Sequence, residues 1–325
     1  MQDKKYIRFQ WFAVSVGFVI LLIKFYAFHV TGSNAILSDA LESIINVVAG
    51  SFALYSLILA AKPKDRDHPY GHGKIEFISS GIEGTLILLA GISIVLKSAH
   101  DLFAQHVLES IDLGLYLSAG AGLINYALGW ATELYGKKNH SPTMVASGKH
   151  LKSDGYTSLG LILGLGIVLF TGLTWVDSVV ALGFGGYIGF VGAKEIRKSV
   201  AGIMDEADFD LLGDLITDID SKRNENWIDL HNFRAQKFGK GIHIDCHLTL
   251  PYYFTVEEAH AQIDQIEQIV SHNYPESVEM FIHADPCIPT SCRICSKADC
   301  HVRGSAFEQK ITWELDSVLE NRKHR

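Results

Sequence analysis

The sequence is poor in charge. Only 20% of its 325 residues are Asp, Glu, Lys or Arg, whereas 48% are hydrophobic, and mean hydropathy is +0.17. Ordinary soluble domains carry about 25% charge, so a single soluble domain is excluded, and so is disorder. Cysteine is sparse as well, and five in the whole chain rule out a small disulfide scaffold. The net charge of -8, with pI near 6.0, leaves no basic footprint for nucleic acid. No G-x-x-x-x-G-K-[ST] occurs, which argues against a nucleotide-driven pump, and no H-E-x-x-H occurs, which argues against an intramembrane metallopeptidase. The first apolar run is too long for a cleavable signal peptide and has no small-residue cleavage site.

What charge there is sits unevenly. Residues 1–204 hold 16 Lys+Arg against 14 Asp+Glu, or +2, and residues 205–325 hold 12 against 22, or -10. The first part carries apolar stretches long enough to cross a hydrocarbon core, which takes about 20 residues. They are Ile7–Val30, Ala35–Ala61, Ile75–Phe103, Ile111–Tyr135, Met144–Thr171 and Trp175–Ala193, so a six-helix transmembrane domain is expected over 1–204. Lys4, Lys5, Arg8, Lys62, Lys64, Arg66, Lys74, Lys137, Lys138, Arg197 and Lys198 fall on one side. The opposite loops lack Lys and Arg, and the positive-inside rule puts both termini in the cytoplasm. Glycines crowd the last two helices (Gly155, Gly160, Gly164, Gly166, Gly183, Gly185, Gly186, Gly189) and read as close helix packing.

Beyond residue 204 the periodicity changes. Phe209–Ile219 reads as an amphipathic helix, and Trp227–Phe233 as a strand. Over Gly241–Leu250 the pattern alternates, with Ile242, Ile244, Cys246, Leu248 and Leu250 facing a core and His243, Asp245, His247 and Thr249 facing away. Val256–His272 is a second helix, its start marked by Thr255 and Glu258 as a capping box. Ser277–His283 is a third strand. The order αββαβ predicts a small ferredoxin-like α/β domain over 205–286, with helices on one face of the sheet. A Cys-rich tail over 287–325 ends in an expected amphipathic helix, Phe307–Leu319.

Ionisable groups inside a membrane span are costly and point to function. Glu42 and Asn46 are four apart in the second span, and His150 and Asp154 are four apart in the fifth, so each pair shares a helix face. Two such helices can build a tetrahedral site for a divalent metal. The competing reading is that Asp154 and Glu42 pair with lysines or line a water cavity.

These residues resemble the cation diffusion facilitator family of divalent-metal/proton antiporters, especially its bacterial zinc/iron efflux members. The likeness rests on Gly32-Ser33 and Ile36-Leu37-Ser38-Asp39-Ala40 followed by Glu42 and Asn46, and on His150-x-x-x-Asp154. It rests also on the loop Asp65-Arg66-Asp67-His68-Pro69-Tyr70-Gly71-His72-Gly73-Lys74, and it spans about residues 7 to 287. The resemblance implies a transport site of Glu42, Asn46, His150 and Asp154. Where the family offers His or Asp and then Asp, this chain has Glu42 and Asn46. His150 favours borderline metals, so Zn2+ leads, Fe2+ comes next, and Mn2+ and Co2+ follow, with protons as counter-ion.

The same resemblance implies a second metal at Asp65, His68 and His72, for which a solvated polar turn is the competing reading. It implies a hinge ion pair of Lys74 with Asp205, and a homodimer whose cytoplasmic domain binds metal at His231, His247, His260, His283 and Asp285. His243 and Asp245 read as solvated. The family does not account for Cys287-x4-Cys292-x2-Cys295-x4-Cys300-His301. In a reducing cytoplasm such spacing reads as metal binding before disulfide. Zinc thiolate, an iron–sulfur cluster and free thiols all stand, while Cys246 reads as packing. The expected function is export of a divalent metal across the inner membrane in exchange for protons, without nucleotide or nucleic-acid partner. The other reading is a membrane-anchored metal sensor or assembly partner that moves nothing, for which Asn46 is the best support.

Overall fold

The computed structural model of the chain describes residues 3–31, 34–103, 113–171, 175–239, 241–274 and 278–324. Within these ranges the side chains of Glu42, Asp39, Gly160, Gly164 and Gly166 lie outside the described residues, as do the loops at 32–33, 104–112 and 172–174. The chain divides into two compact units, Met1–Met204 and Asp205–Arg325.

Among the described residues the first unit is wholly helical: α1 (Asp3–Thr31), α2 (Asn34–Ala60), α3 (Ile75–Phe103), α4 (Leu113–Lys138), α5 (Pro142–Thr171) and α6 (Trp175–Ile203). Helix is forced on such apolar runs, because only a helix satisfies every backbone donor and acceptor within one segment. Within the described residues α1, α2, α3 and α6 carry a stretch long and apolar enough to span a membrane. Large apolar side chains such as Trp11, Phe18, Tyr55, Leu96, Trp130 and Phe190 point outward.

Glycine decides how close the helices come. A Cβ on Gly91 of α3 would lie 2.4 Å from the backbone nitrogen of Gly189 on α6, and one on Gly192 of α6 would lie 2.4 Å from that of Leu88. Between α4 and α5 the pair Gly129 and Gly148 touches in the same way, at 2.6 Å from Gly148 O. Polar groups tie the helices together further. Lys149 pairs with Glu195, Lys152 with Glu133 at 2.9 Å, and Ser141 donates to the buried Glu76.

The second unit runs α7 (Phe209–Ser221), β1 (Asp229–Phe238), β2 (Gly241–Leu250), α8 (Val256–Asn273), β3 (Val278–Pro286), a 3-10 turn (Pro289–Arg293) and α9 (Leu315–Leu319). Helix α7 starts at Asp208, whose side chain accepts from Leu211 N. The capping box of Thr255 and Glu258 starts α8. The sheet order is β1-β2-β3, with β1 antiparallel and β3 parallel to β2. The parallel pair requires a crossover, which α8 supplies. Leu212, Leu215, Ile216 and Ile219 of α7 and Ile266, Ile269 and Val270 of α8 bury against Ile244, Cys246, Leu248 and Leu250 of β2, together with Trp227 and Phe233.

Three expectations change. The strand foreseen at Trp227–Phe233 begins at Asp229 and runs on to Phe238, through a bulge between His231 and Arg234. Asn232 takes up the extra residue at φ +53. The helix foreseen over Phe307–Leu319 is confined to Leu315–Leu319. Its first half is instead held extended, with Glu308 and Gln309 donating to Arg293 O and Ile311 O accepting from Arg223 at 2.7 Å. The Arg223 guanidinium stacks 3.9 Å over buried Trp313, and these tertiary contacts outweigh a weak local helical preference. The tail is no separate segment, because Trp313 and Val318 belong to the core of the α/β unit.

Candidate metal centres

The helical unit brings together part of the expected transport site. Asn46 of α2 donates from Nδ2 to Asp154 Oδ2 of α5 at 2.7 Å, and its Oδ1 lies 2.9 Å from His150 Nε2. One amide thus bridges both members of the His-x-x-x-Asp pair. His150 is buried, and the lysines flanking it on α5 are committed to Glu195 and Glu133. Glu42 lies on α2 one turn before Asn46, its side chain outside the described residues. The cavity at this point is lined by Ser43, Asn46, Ser147 and His150, and also by Glu83 of α3. Sequence reasoning passed over Glu83, which an acid inside a span marks as a candidate but does not place beside the α2–α5 pair.

Elsewhere, among the described residues, two sets of three or more His, Cys, Asp or Glu ligand atoms lie within 4.8 Å of one another. The first is Asp65, His68 and His72. His68 Nδ1 is 3.1 Å from Asp65 Oδ1, and His72 Nε2 is 3.3 Å from Oδ2. The loop is wound for this purpose by backbone N–H groups of Asp67 and His68 donating to Asp65 Oδ1 at 3.0 and 2.7 Å. Gly71, at φ +89, turns the chain so that His72 can return. The backbone N–H of His68 holds the Asp65 carboxyl below the usual carboxylate range, with both imidazoles adding to the effect.

The second set is His231, His247 and Asp285. Register places it: His231 is opposite His247, and His247 is opposite His283. Asp285 Oδ2 lies 3.3 Å from His231 Nε2 and 3.2 Å from His247 Nδ1. His283 stands at the exposed edge, its Nε2 3.7 Å from Asp285 Oδ1. Behind the ligands lies a residue the sequence reading missed. Asp229 is buried, with Oδ2 3.4 Å from His231 Nδ1, so it orients that ring. Burial alone would raise the Asp229 carboxyl, but hydrogen bonds from His231 and His324 outweigh it and bring it down to about 2. The bond to Asp229 raises His324 in turn, and Lys323 reaches Asp285 Oδ1 at 3.6 Å. The period-two spacing of Asp229 and His231 was the available clue.

One expectation about this unit fails, that His243 is solvated, and His260 stands outside the triad. His260 is 71% exposed on α8 and meets Asp264 at 3.7 Å, because Ile266, Ile269 and Val270 fix the buried face of that helix elsewhere. His243 is buried rather than solvated. Its Nε2 is 3.3 Å from Asp245 and its Nδ1 3.6 Å from Glu279, and the Phe281 ring covers it at 5.2 Å.

The tail thiols are free of disulfide bonds and form no set within 4.8 Å of one another. They do sit in ordered surroundings. Tyr252 N donates to Cys287 Sγ and Gly304 N to Cys292 Sγ, both at 3.4 Å. His301 packs on Tyr253 at 4.6 Å. Burial pushes the Cys287 thiol up, and the three other tail thiols add to it. Burial, with the charge of Asp245 adding to it, takes Cys246 to about 12, as suits a thiol that only packs.

A polar point within an apolar helical unit and a histidine face on a separate small sheet point toward a membrane protein that handles metal. Comparison with known families gives the class. The cation efflux transmembrane domain matches residues 11–204, and the cytoplasmic domain of cation efflux proteins matches residues 215–287. The chain belongs to the cation efflux family, a family of transporters. It is 29% identical over 274 residues to "Uncharacterized transporter sll1263" of Synechocystis sp., covering 84% of this chain and 88% of that one. It is 28% identical to "Metal tolerance protein C1" of Arabidopsis thaliana, covering 79% and 58%. To "Cation-efflux pump FieF" of Yersinia pestis it is 25% identical, covering 85% and 91%. The helical unit is therefore a transmembrane domain and the α/β unit the family's cytoplasmic domain.

Proposed function

We propose that the protein is a secondary active transporter that exports a divalent transition metal from the cytoplasm in exchange for protons. Zinc leads and Fe(II) follows. One observation carries the reading: Asn46, His150 and Asp154, from two helices, converge on one buried point. An imidazole, a carboxylate and an amide oxygen suit a borderline dication. Metal and protons compete for the same lone pairs on His150 and Asp154, so protons arriving from outside expel the ion. Glu42 completes this site in the reading, and Lys74 with Asp205 forms the hinge ion pair. The loop triad at Asp65 and the sheet triad at Asp285 are proposed as cytoplasmic metal sites, the latter within a homodimer of the inner membrane with both termini in the cytoplasm. The test is zinc and Fe(II) flux into proteoliposomes with and without an imposed pH gradient. Flux that follows the gradient and vanishes in Asp154→Ala supports the reading. A folded wild type that binds metal but moves none is a sensor.

A further inference from the structure

We infer that Glu83, on α3, is a further ligand of the transported cation, facing the site that Asn46, His150 and Asp154 build from α2 and α5. The inference rests on the transport reading above. Glu83 is 1% exposed; among the described residues neither carboxylate oxygen has a partner at full hydrogen-bond geometry, and the Ser147 hydroxyl and the His150 ring are the groups that compensate its charge. It lines the same cavity as Ser43, Asn46, Ser147 and His150, and no Lys or Arg lines that cavity. The nearby lysines of α5 are taken by Glu195 and Glu133. A carboxyl buried from water with only a hydroxyl and an imidazole beside it is costly to keep charged. Nothing in the fold of α3 requires an acid here, because the tight contact beside it is made by Gly84 against the α6 backbone. A side chain so costly and so placed fits a partner that comes and goes.

Charge points to the same partner. On the transport reading Asp154 and Glu42 bring two carboxylates to the ion from α5 and α2. A dication in low dielectric gains from each further negative charge near it. Glu83 supplies a further carboxylate from a third helix, and so ties α3 to the ion as well as α2 and α5.

The experiment measures zinc binding to the purified full-length protein carrying Asp65→Ala and Asp285→Ala, so that the transport site dominates. Losing an outer-shell partner already costs about 10- to 100-fold in metal affinity. Glu83→Gln, which keeps shape and removes charge, is therefore expected to lose at least about tenfold, with Glu83→Asp intermediate. Without zinc, the thermal midpoint of Glu83→Gln should equal or exceed that of the parent, a result a merely structural acid would not give. If the parent binds zinc and Glu83→Gln binds it equally, the inference is overturned while the transport reading survives. The same holds if Glu42→Gln loses affinity and Glu83→Gln does not. If the folded parent itself binds no zinc in this background, the transport reading falls and takes the inference with it.

Discussion

The polar point between α2, α3 and α5 and the histidine face of the β-sheet hold similar donors on opposite kinds of support. On the sheet, neighbouring strands lie about 4.8 Å apart, and register alone lines up His231, His247 and His283. Asp229 and His324 then fix the ring of His231 from behind. Such a frame should change little whether or not metal is bound. Between the helices no ladder sets the spacing. The donors are held by one amide and by packing, and Glu83 has only Ser147 and His150 to compensate it. A site that must release its cargo gains from loose support, whereas a site that reports on metal gains from rigid support.

That contrast is broken most directly at α5. Asp154→Ala or His150→Ala should reduce proteoliposome flux to background while leaving zinc binding at the sheet intact, as read by equilibrium dialysis. Residual flux above about a tenth of wild type, too much for a lost ligand, would mean that the helical point is not the transport site. Next in size is Asp285→Ala, which removes the carboxylate shared by His231 and His247. Zinc-induced compaction of the full-length dimer, followed by small-angle scattering, should disappear, since metal can shift only the state it binds better. Flux at saturating zinc should fall by less than in Asp154→Ala.

Asn46→Asp sharpens the contrast further. The wild-type amide donates to Asp154, so a carboxylate at 46 faces another at hydrogen-bond distance. Stability without metal should drop and zinc affinity should rise, seen as a lower thermal midpoint with a larger zinc-induced increase. Unchanged values on both counts would remove Asn46 from the site. The smallest effect is expected at Asp208. Burial raises its carboxyl, but Lys237 and the Leu211 N–H outweigh it and the pKa ends below the ordinary 3.8. A depressed folded pKa contributes stability above the unfolded value and loses it as pH falls through the folded one. Asp208→Ala should thus cost about 1 kcal/mol at neutral pH through loss of the helix cap, and less as the pH approaches 3 and below. An equal cost at both pH values would contradict the ionised cap.

The architecture was legible because both periodicities were strong. Long apolar runs leave helix as the one solution in a membrane, and the alternation over Gly241–Leu250 placed Cys246 in the core and His247 on the opposite face. The i, i+4 pairs of α2 and α5 were legible for the same reason. Glu83 was not, since its approach to His150 depends on how α3 packs, and no spacing within one helix encodes that. Alternation assigns His243 to a face but does not say that Phe281 and Glu279 cover it. The extended run before α9 escaped because its amphipathic pattern is local, while Arg223, which holds it, lies 88 residues away.

The backbone contacts at Gly91 and Gly192, and at Gly129 and Gly148, leave no room for α3 to slip along α6 or for α4 to slip along α5. Each pair behaves as a single strut. Glu83 travels with the α3–α6 strut, and His150 and Asp154 travel with the α4–α5 strut. On the proposed reading, a rocking that lets water into the cavity parts the two struts against the Lys149–Glu195 pair that joins them and draws Glu83 away from the α5 ligands. Access to the ion and the number of groups holding it then become one mechanical coordinate.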